Sequence, residues 1–78
     1  MHKVIIYSTP TCHFCHMAKD FFKANGVAFT DKNAAADPVA RKEALTKSGQ
    51  MGVPVIDIDG KIVVGFNEPK LRELLGIN

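Results

Sequence analysis

Two cysteines separated by two residues are the part of this sequence best suited to chemistry. Cys12 and Cys15 are the only cysteines among 78 residues. They follow an apolar run at positions 4–7 and precede apolar residues at helical spacing, so we expect them at a strand-to-helix junction. A thiolate is the nucleophilic form of cysteine, and a helix N-terminus stabilises it. We therefore predict that Cys12, in the first turn, attacks a disulfide and that Cys15, one turn later, resolves the mixed disulfide.

A purely structural disulfide is the alternative role for this pair. A bridge between residues three positions apart closes a very small loop and removes little entropy from the unfolded chain. The N-terminal residues contain no apolar signal-peptide core, so we expect a cytoplasmic protein. Disulfides in that reducing compartment are usually transient and catalytic. Both points favour a redox role.

Composition excludes several classes of function. With 46% apolar residues and a formal net charge of +2, the chain is expected to form one small domain over residues 1–78. Its basic residues form no run, which gives no reason to expect binding to nucleic acid. No apolar segment reaches the ~20 residues that a membrane helix requires, so no membrane association is expected.

The order of apolar and turn residues predicts an α/β fold with the element order β-α-β-α-β-β-α. Strands are expected at 3–7, 27–30, 55–58 and 61–64, and Asp59-Gly60 predicts a tight turn between the last two. Helices are expected from 12 to 25, from 38 to about 47 and from 68 to 75. In the second helix, Val39 and Leu45 are predicted to point inward beside two alanines. A four-stranded mixed sheet covered by three helices accommodates every apolar stripe.

Three motifs together resemble those of the small glutaredoxin-like proteins of the thioredoxin fold. They are the sequence of positions 7–15, Gly52-Val53-Pro54-Val55 and Gly65-Phe66. The resemblance implies a thiol-disulfide oxidoreductase that reduces protein or small-molecule disulfides and needs no cofactor. It further implies a cis peptide bond before Pro54, backbone pairing of Val53 with an extended substrate, and a close approach of backbone at Gly65. The substrate-binding residues implied in this way are Thr11, His13, Phe14, Val53, Pro54, Gly65, Phe66 and Asn67.

Departures from the usual glutaredoxin pattern leave the electron donor open between glutathione and thioredoxin reductase. Thr9 stands where many glutaredoxins carry a lysine that pairs with glutathione, and Met51 stands where an arginine is common. The sequence Gly65-Phe66 followed by Pro69 is more similar to the ribonucleotide-reductase redoxins, which accept electrons from thioredoxin reductase. His13 replaces the usual proline, either as a group that favours the Cys12 thiolate or as an ordinary exposed histidine.

Two other chemistries fit parts of the motif. Residues 12–16 satisfy the CxxCH pattern of c-type haem attachment, with Met17 or Met51 as a nominal axial ligand. Alternatively, the two thiols could contribute to an iron–sulfur or zinc site together with His13 and His16, although two cysteines alone do not complete four-coordination. The strand-rich remainder and the Val53-Pro54 motif favour the dithiol redox chemistry over both.

Overall fold

The computed structural model describes residues 2–50 and 52–77 and contains four strands and three helices within them. The elements are β1 (Val4–Ser8), α1 (His13–Ala24), β2 (Thr30–Asn33), α2 (Pro38–Ser48), β3 (Val55–Ile58), β4 (Lys61–Val64) and α3 (Glu68–Leu75). The predicted element order is confirmed. None of the helices in these described ranges is long and apolar enough to cross a membrane.

The strands form one mixed sheet in the order β2-β1-β3-β4. Strand β1 runs parallel to β2 and antiparallel to β3, and β3 and β4 form an antiparallel hairpin. The hairpin turn has φ angles of 53° at Asp59 and 89° at Gly60. Both angles are positive, as the predicted type of tight turn requires. The thioredoxin-like arrangement of sheet and helices is therefore the one that the sequence predicted.

The predicted position of the second strand is wrong by three residues. Strand β2 begins at Thr30, which pairs with Ile5, and continues to Asn33, which pairs with Ser8. The apolar residues of the predicted strand have another purpose: Val27 and Phe29 pack at the edge of the main core. In addition, the Val27 N–H donates to the Phe22 carbonyl at the end of α1. Burial against the core, rather than strand pairing, thus explains their apolar character.

The main core lies between one face of the sheet and the helices α1 and α3, which cover that face. Strand β1 alternates its side chains between the two faces of the sheet, and Val4 and Ile6 point into this core. Phe22 from α1 and Leu71 from α3 are fully buried there. The remaining buried members of the cluster are Ala18, Phe21, Ile56, Ile58, Val63 and Leu75.

Helix α2 covers the opposite face through small side chains. Ala40 and Ala44, one turn apart, pack with Val55 and the fully buried Tyr7. The predicted inward positions of Val39 and Leu45 are wrong, because these side chains are 66% and 41% exposed. Asp37 starts the helix as its N-cap, with its side chain accepting from the Val39 N–H.

A polar network between α2 and the sheet explains why this helix uses small residues. The Tyr7 hydroxyl donates to Glu43 Oε1 at 3.1 Å and accepts from Lys47 Nζ at 2.8 Å. Lys47 Nζ also lies 2.7 Å from Asp57 Oδ2 on β3. A buried hydroxyl requires such partners. The sheet face beneath α2 is therefore partly polar, and bulky apolar residues on the helix have little apolar surface to cover.

Two leucine substitutions separate the packed and the exposed helical positions. We expect Leu71→Ala to lower the free energy of unfolding by about 2–5 kcal/mol, since it leaves a cavity in the main core. The matched change Leu45→Ala should cost about 1 kcal/mol or less because that side chain is largely exposed. Urea denaturation of both variants measures the difference. Equal losses would contradict the described packing of α2 and α3.

Candidate active site

Cys12 is the N-cap residue of α1, so the helix begins one residue later than predicted. Its backbone is extended, with φ −86° and ψ 112°, and the helix begins at His13. The Cys15 N–H donates a hydrogen bond to Cys12 Sγ at a distance of 3.2 Å. The sulfur therefore takes the position that a serine or aspartate oxygen usually occupies at a helix start. Negative charge on this atom is stabilised by the N–H and by the helix dipole.

Cys15 differs sharply from Cys12 in its surroundings. Its side chain is fully buried, whereas Cys12 is partly exposed, and both cysteines are free thiols. Burial raises the pKa of Cys15 to about 12, and the interaction with Cys12 acts in the same direction. At neutral pH, Cys15 is thus a protonated thiol, while Cys12 is the thiol that solvent and reagents can reach.

The loop before β3 lies against Cys12. The peptide bond between Val53 and Pro54 is cis, which confirms the configuration that the resemblance implied. The Cys12 thiol donates to the Val53 carbonyl oxygen, with 3.8 Å between sulfur and oxygen. Pro54 is fully buried, and its carbonyl accepts from the Gly65 N–H at 2.8 Å. Cys12, Val53, Pro54 and Gly65 are thereby linked into one site.

Gly65 is required by its backbone angle rather than by a close contact. Its φ is +81°, in a region that side-chain-bearing residues rarely adopt. A Cβ built on it would meet nothing within 4 Å. The backbone of Pro54 does approach Gly65 through their hydrogen bond, but a side chain at position 65 would not obstruct it, so the expected steric reason for this glycine is wrong within the chain itself.

The other predicted substrate-binding residues form two groups, and the structure brings only the first of them next to Cys12. Thr11, His13 and Phe14 flank Cys12 and are all exposed. The His13 ring contacts the Phe14 ring edge-on at 5.8 Å between centroids, and Phe14 is 55% exposed. Phe66 and Asn67 precede α3. Phe66 packs edge-on against Phe21 of α1, and Asn67 Oδ1 caps α3 by accepting from the Lys70 N–H.

Sequence reasoning missed a polar cluster beside Cys15. Lys19 Nζ lies 2.8 Å from Asp31 Oδ2 on β2, and the buried Ser8 hydroxyl donates to Asp31 Oδ1 at 2.7 Å. Burial acts to raise the pKa of Asp31, but the hydrogen bonds from Lys19 and Ser8 outweigh it and hold the pKa below its usual range. The available signal was the four-residue spacing of Cys15 and Lys19, which lie on the same side of a helix.

The residues do not fit covalent attachment of haem. Both thiols of a CxxCH motif must reach the porphyrin, but Cys15 is fully buried in the protein. His16 Nε2, the nominal iron ligand, lies 2.8 Å from the Pro10 carbonyl oxygen. Met51, one of the two nominal axial ligands, lies outside the described residues.

A metal site formed by this chain alone is not supported either. Among residues 2–50 and 52–77, no group of three or more histidine, cysteine, aspartate or glutamate side chains could hold an ion. His16 is engaged with Pro10, and His13 lies beside Phe14. The geometry that remains is a partly exposed nucleophilic sulfur with a second thiol beneath it.

Comparison with known proteins agrees with this geometry. The family model described as glutaredoxin matches residues 4–63. This chain belongs to the glutaredoxin family. A glutaredoxin-like 8.6 kDa protein in the rubredoxin operon of Clostridium pasteurianum is 47% identical over 70 residues, which cover 90% of this chain and 93% of that protein.

Solved structures of glutaredoxin-like proteins also superpose closely. The crystal structure of a thioredoxin-like protein variant is similar with a TM-score of 0.92 and 36% identity, covering 100% of both chains. NrdH-redoxin from Escherichia coli, described as a glutaredoxin-like protein with a thioredoxin-like activity profile, has a TM-score of 0.81 and 28% identity over 92% of this chain and 93% of that chain. This member of the glutaredoxin family is accordingly a glutaredoxin-like thiol-disulfide oxidoreductase.

Alkylation should distinguish the two thiols of the reduced protein. We expect iodoacetamide at pH 7 to modify Cys12 at least about tenfold faster than Cys15, because the thiolate is the reactive species and Cys15 is buried. Peptide mass spectrometry measures both sites. Unfolding in guanidinium is the control and should make the two rates similar. Equal rates in the folded protein would contradict the described difference in burial.

Proposed function

We propose that this chain reduces protein disulfides through a dithiol cycle in which Cys12 attacks and Cys15 resolves. The Cys12 thiolate attacks one sulfur of the substrate disulfide, forms a mixed disulfide and releases the first substrate thiolate, which takes up a proton. Cys15 then loses its proton and attacks Cys12 Sγ. The Cys12–Cys15 bond forms as the bond to the substrate breaks, and the substrate leaves as its second thiol. An external donor then supplies two electrons and two protons to restore both thiols.

The position of Cys12 is the observation that carries this proposal. Its sulfur accepts the Cys15 N–H at 3.2 Å and lies beside the Val53 carbonyl. An extended substrate chain running past Val53 would bring its own sulfur to this atom. The exposed Phe14 offers an apolar contact for such a polypeptide, and Thr11 and His13, which flank Cys12 in the sequence, are exposed as well. We assign these residues, with Pro54, Gly65, Phe66 and Asn67, to substrate binding.

For the electron donor we propose a flavin-dependent thioredoxin reductase. A carboxylate of glutathione needs a cation near Cys12, and the groove beside Val53 is lined by Thr9, Gln50 and Gly52, with Arg41 as its only charged lining residue in the described part of the chain. Two of the five N–H groups of Arg41 are already used, because its Nε and Nη2 donate to the carbonyls of residues 34 and 35 at 3.0 and 2.9 Å, and these bonds hold the guanidinium against that loop.

The start of α3 supports the same donor. Asn67 Oδ1 is occupied as the helix cap, and Glu68 Oε2 accepts from Arg72 Nε at 2.9 Å. Both side chains are thus already engaged, and the Arg72 cation offsets the Glu68 charge that would attract the amino group of glutathione. The thioredoxin-like activity profile ascribed to NrdH-redoxin is consistent with a donor other than glutathione. A cytoplasmic location, where such reductases operate on transient disulfides, completes the proposal.

Serine substitutions test the two cysteine roles. Cys12→Ser should abolish reduction of insulin disulfides, since no nucleophile remains. Cys15→Ser should accumulate mixed disulfides that migrate as heavier species on non-reducing gels, because the resolving thiol is missing. Retained activity in Cys12→Ser, or mixed disulfides that accumulate equally in both variants, would overturn the assignment. Circular dichroism of each variant controls for loss of the fold.

The donor is tested by following NADPH consumption with the oxidised protein. We expect thioredoxin reductase to support turnover at least about tenfold faster than glutathione with glutathione reductase. The reason is that a cation paired with the glutathione carboxylate would contribute at least about this factor to its binding, and the described part of the groove offers no such pairing. Arg41→Gln is the matched control and should leave the reductase-supported rate unchanged. Faster turnover with glutathione would refute the proposed donor while leaving the dithiol cycle intact.

A further inference from the structure

The resolving step requires Cys15 to ionise, and its surroundings disfavour ionisation. The sulfur must become anionic to attack the mixed disulfide, yet the side chain is fully buried. Burial disfavours the charged form of a thiol. The helix N-terminus that serves Cys12 lies one turn away. A second source of positive charge is therefore needed near Cys15 during this step.

Lys19 is the cation placed to supply it. It follows Cys15 by four residues in α1, so the two side chains leave the helix on the same side, with Cβ atoms about 5–6 Å apart. Its side chain is only 17% exposed. An ammonium group in such partly buried surroundings acts on a neighbouring charge more strongly than one in solvent. Burial has the largest effect on the pKa of Cys15 and raises it, whereas a backbone hydrogen bond with Thr9 and, to a smaller extent, the charge of Lys19 lower it.

The Lys19 ammonium is held in place from two other elements. Asp31 Oδ2 on β2 lies 2.8 Å from Lys19 Nζ, and the second carboxylate oxygen accepts from the Ser8 hydroxyl at 2.7 Å. Ser8 ends β1 and is 3% exposed, so its hydroxyl is itself fixed within the structure. The three residues belong to the helix that carries Cys15 and to the two strands beside it.

We propose that Lys19 stabilises the developing Cys15 thiolate in the resolving step and that Asp31 and Ser8 are positioning residues for its ammonium group. The inference rests on the proposed resolving role of Cys15. In this step Cys15 gives up its proton, its sulfur bonds to Cys12 Sγ, and the substrate sulfur leaves with the electron pair and takes up a proton. Lys19 keeps its own proton throughout and acts by charge alone.

The groups that act on Cys15 distinguish this role from that of a general base. The charged or titratable neighbours are Cys12 before the helix and Lys19 on it, and Asp31 on β2 faces Lys19. His16, which is exposed on α1, acts electrostatically on Asp31. A carboxylate already paired with an ammonium and a hydroxyl is a poor proton acceptor. The arrangement is suited to stabilise an anion.

A stopped-flow reaction of the reduced protein with an equimolar aromatic disulfide, 5,5′-dithiobis(2-nitrobenzoate), separates the two steps. The first thionitrobenzoate is released when Cys12 attacks, at a rate proportional to reagent concentration. The second is released when Cys15 resolves the mixed disulfide, at a rate independent of that concentration. Both releases are followed at one absorbance, so each variant reports on Cys12 and Cys15 in a single trace.

Lys19→Gln should slow the second release by about three- to tenfold, because loss of the neighbouring positive charge lowers the thiolate fraction, while the higher nucleophilicity of the remaining thiolate offsets part of that loss. The first release should change by less than about twofold, since Cys12 relies on the helix start. The pH at which the second release reaches half its maximal rate should rise in this variant. A merely structural role would leave that pH unchanged.

Three further variants make the test specific. Lys19→Arg keeps the charge and should retain the second rate, whereas Asp31→Asn should slow it because the ammonium is no longer held. Lys23→Gln removes an exposed lysine one turn further along α1 and should have no effect. An unchanged second rate and pH profile in Lys19→Gln would overturn the inference. Absence of a second release in the unmodified protein would instead refute the resolving role of Cys15.

Discussion

The hydrogen bond from the Cys15 N–H to Cys12 Sγ is the interaction on which the site depends. It requires a helix that begins immediately after Cys12, an extended Cys12 backbone, and a strand that delivers the chain to this point. Strand β1 is one of the two inner strands and pairs with β2 on one side and β3 on the other, so its end is fixed by two neighbours. The sulfur is thus held at the end of a strand that is paired on both sides. The loop that carries Val53 precedes the neighbouring strand β3 and therefore reaches the sulfur from that side.

The sheet separates two kinds of packing. On the side of α1 and α3, phenylalanine, leucine and isoleucine fill an apolar core that also encloses the Cys15 helix. On the side of α2, Tyr7 and its polar partners Glu43 and Lys47 take the place of a second large apolar cluster. A small chain has too little apolar surface to cover both faces equally. The buried thiol accordingly lies on the side with the lower polarity, and burial there raises its pKa.

Much of this could be predicted from local sequence, because local signals determined it. The Asp59-Gly60 turn, the caps of α2 and α3 and the strand-to-helix placement of the cysteines each depend on a few adjacent residues. The predictions that were wrong concern features that tertiary contacts determine. Residues 27–30 have the composition of a strand, but the register with β1 moves β2 to Thr30–Asn33. The pairing of Lys19 with Asp31 depends on that same register, and a helical lysine beside a strand aspartate gives no signal in the sequence alone.

The charged character of β2 has a consequence for association between molecules. This strand is at one edge of the sheet, where its outer backbone N–H and C=O groups could pair with another chain. It is short and carries Asp31 and Lys32, and β4 at the opposite edge begins with Lys61. Bringing two such edges together would bury these charges or set them against their copies in a neighbouring molecule. Asp31, which holds Lys19 near Cys15, therefore also disfavours edge-to-edge aggregation.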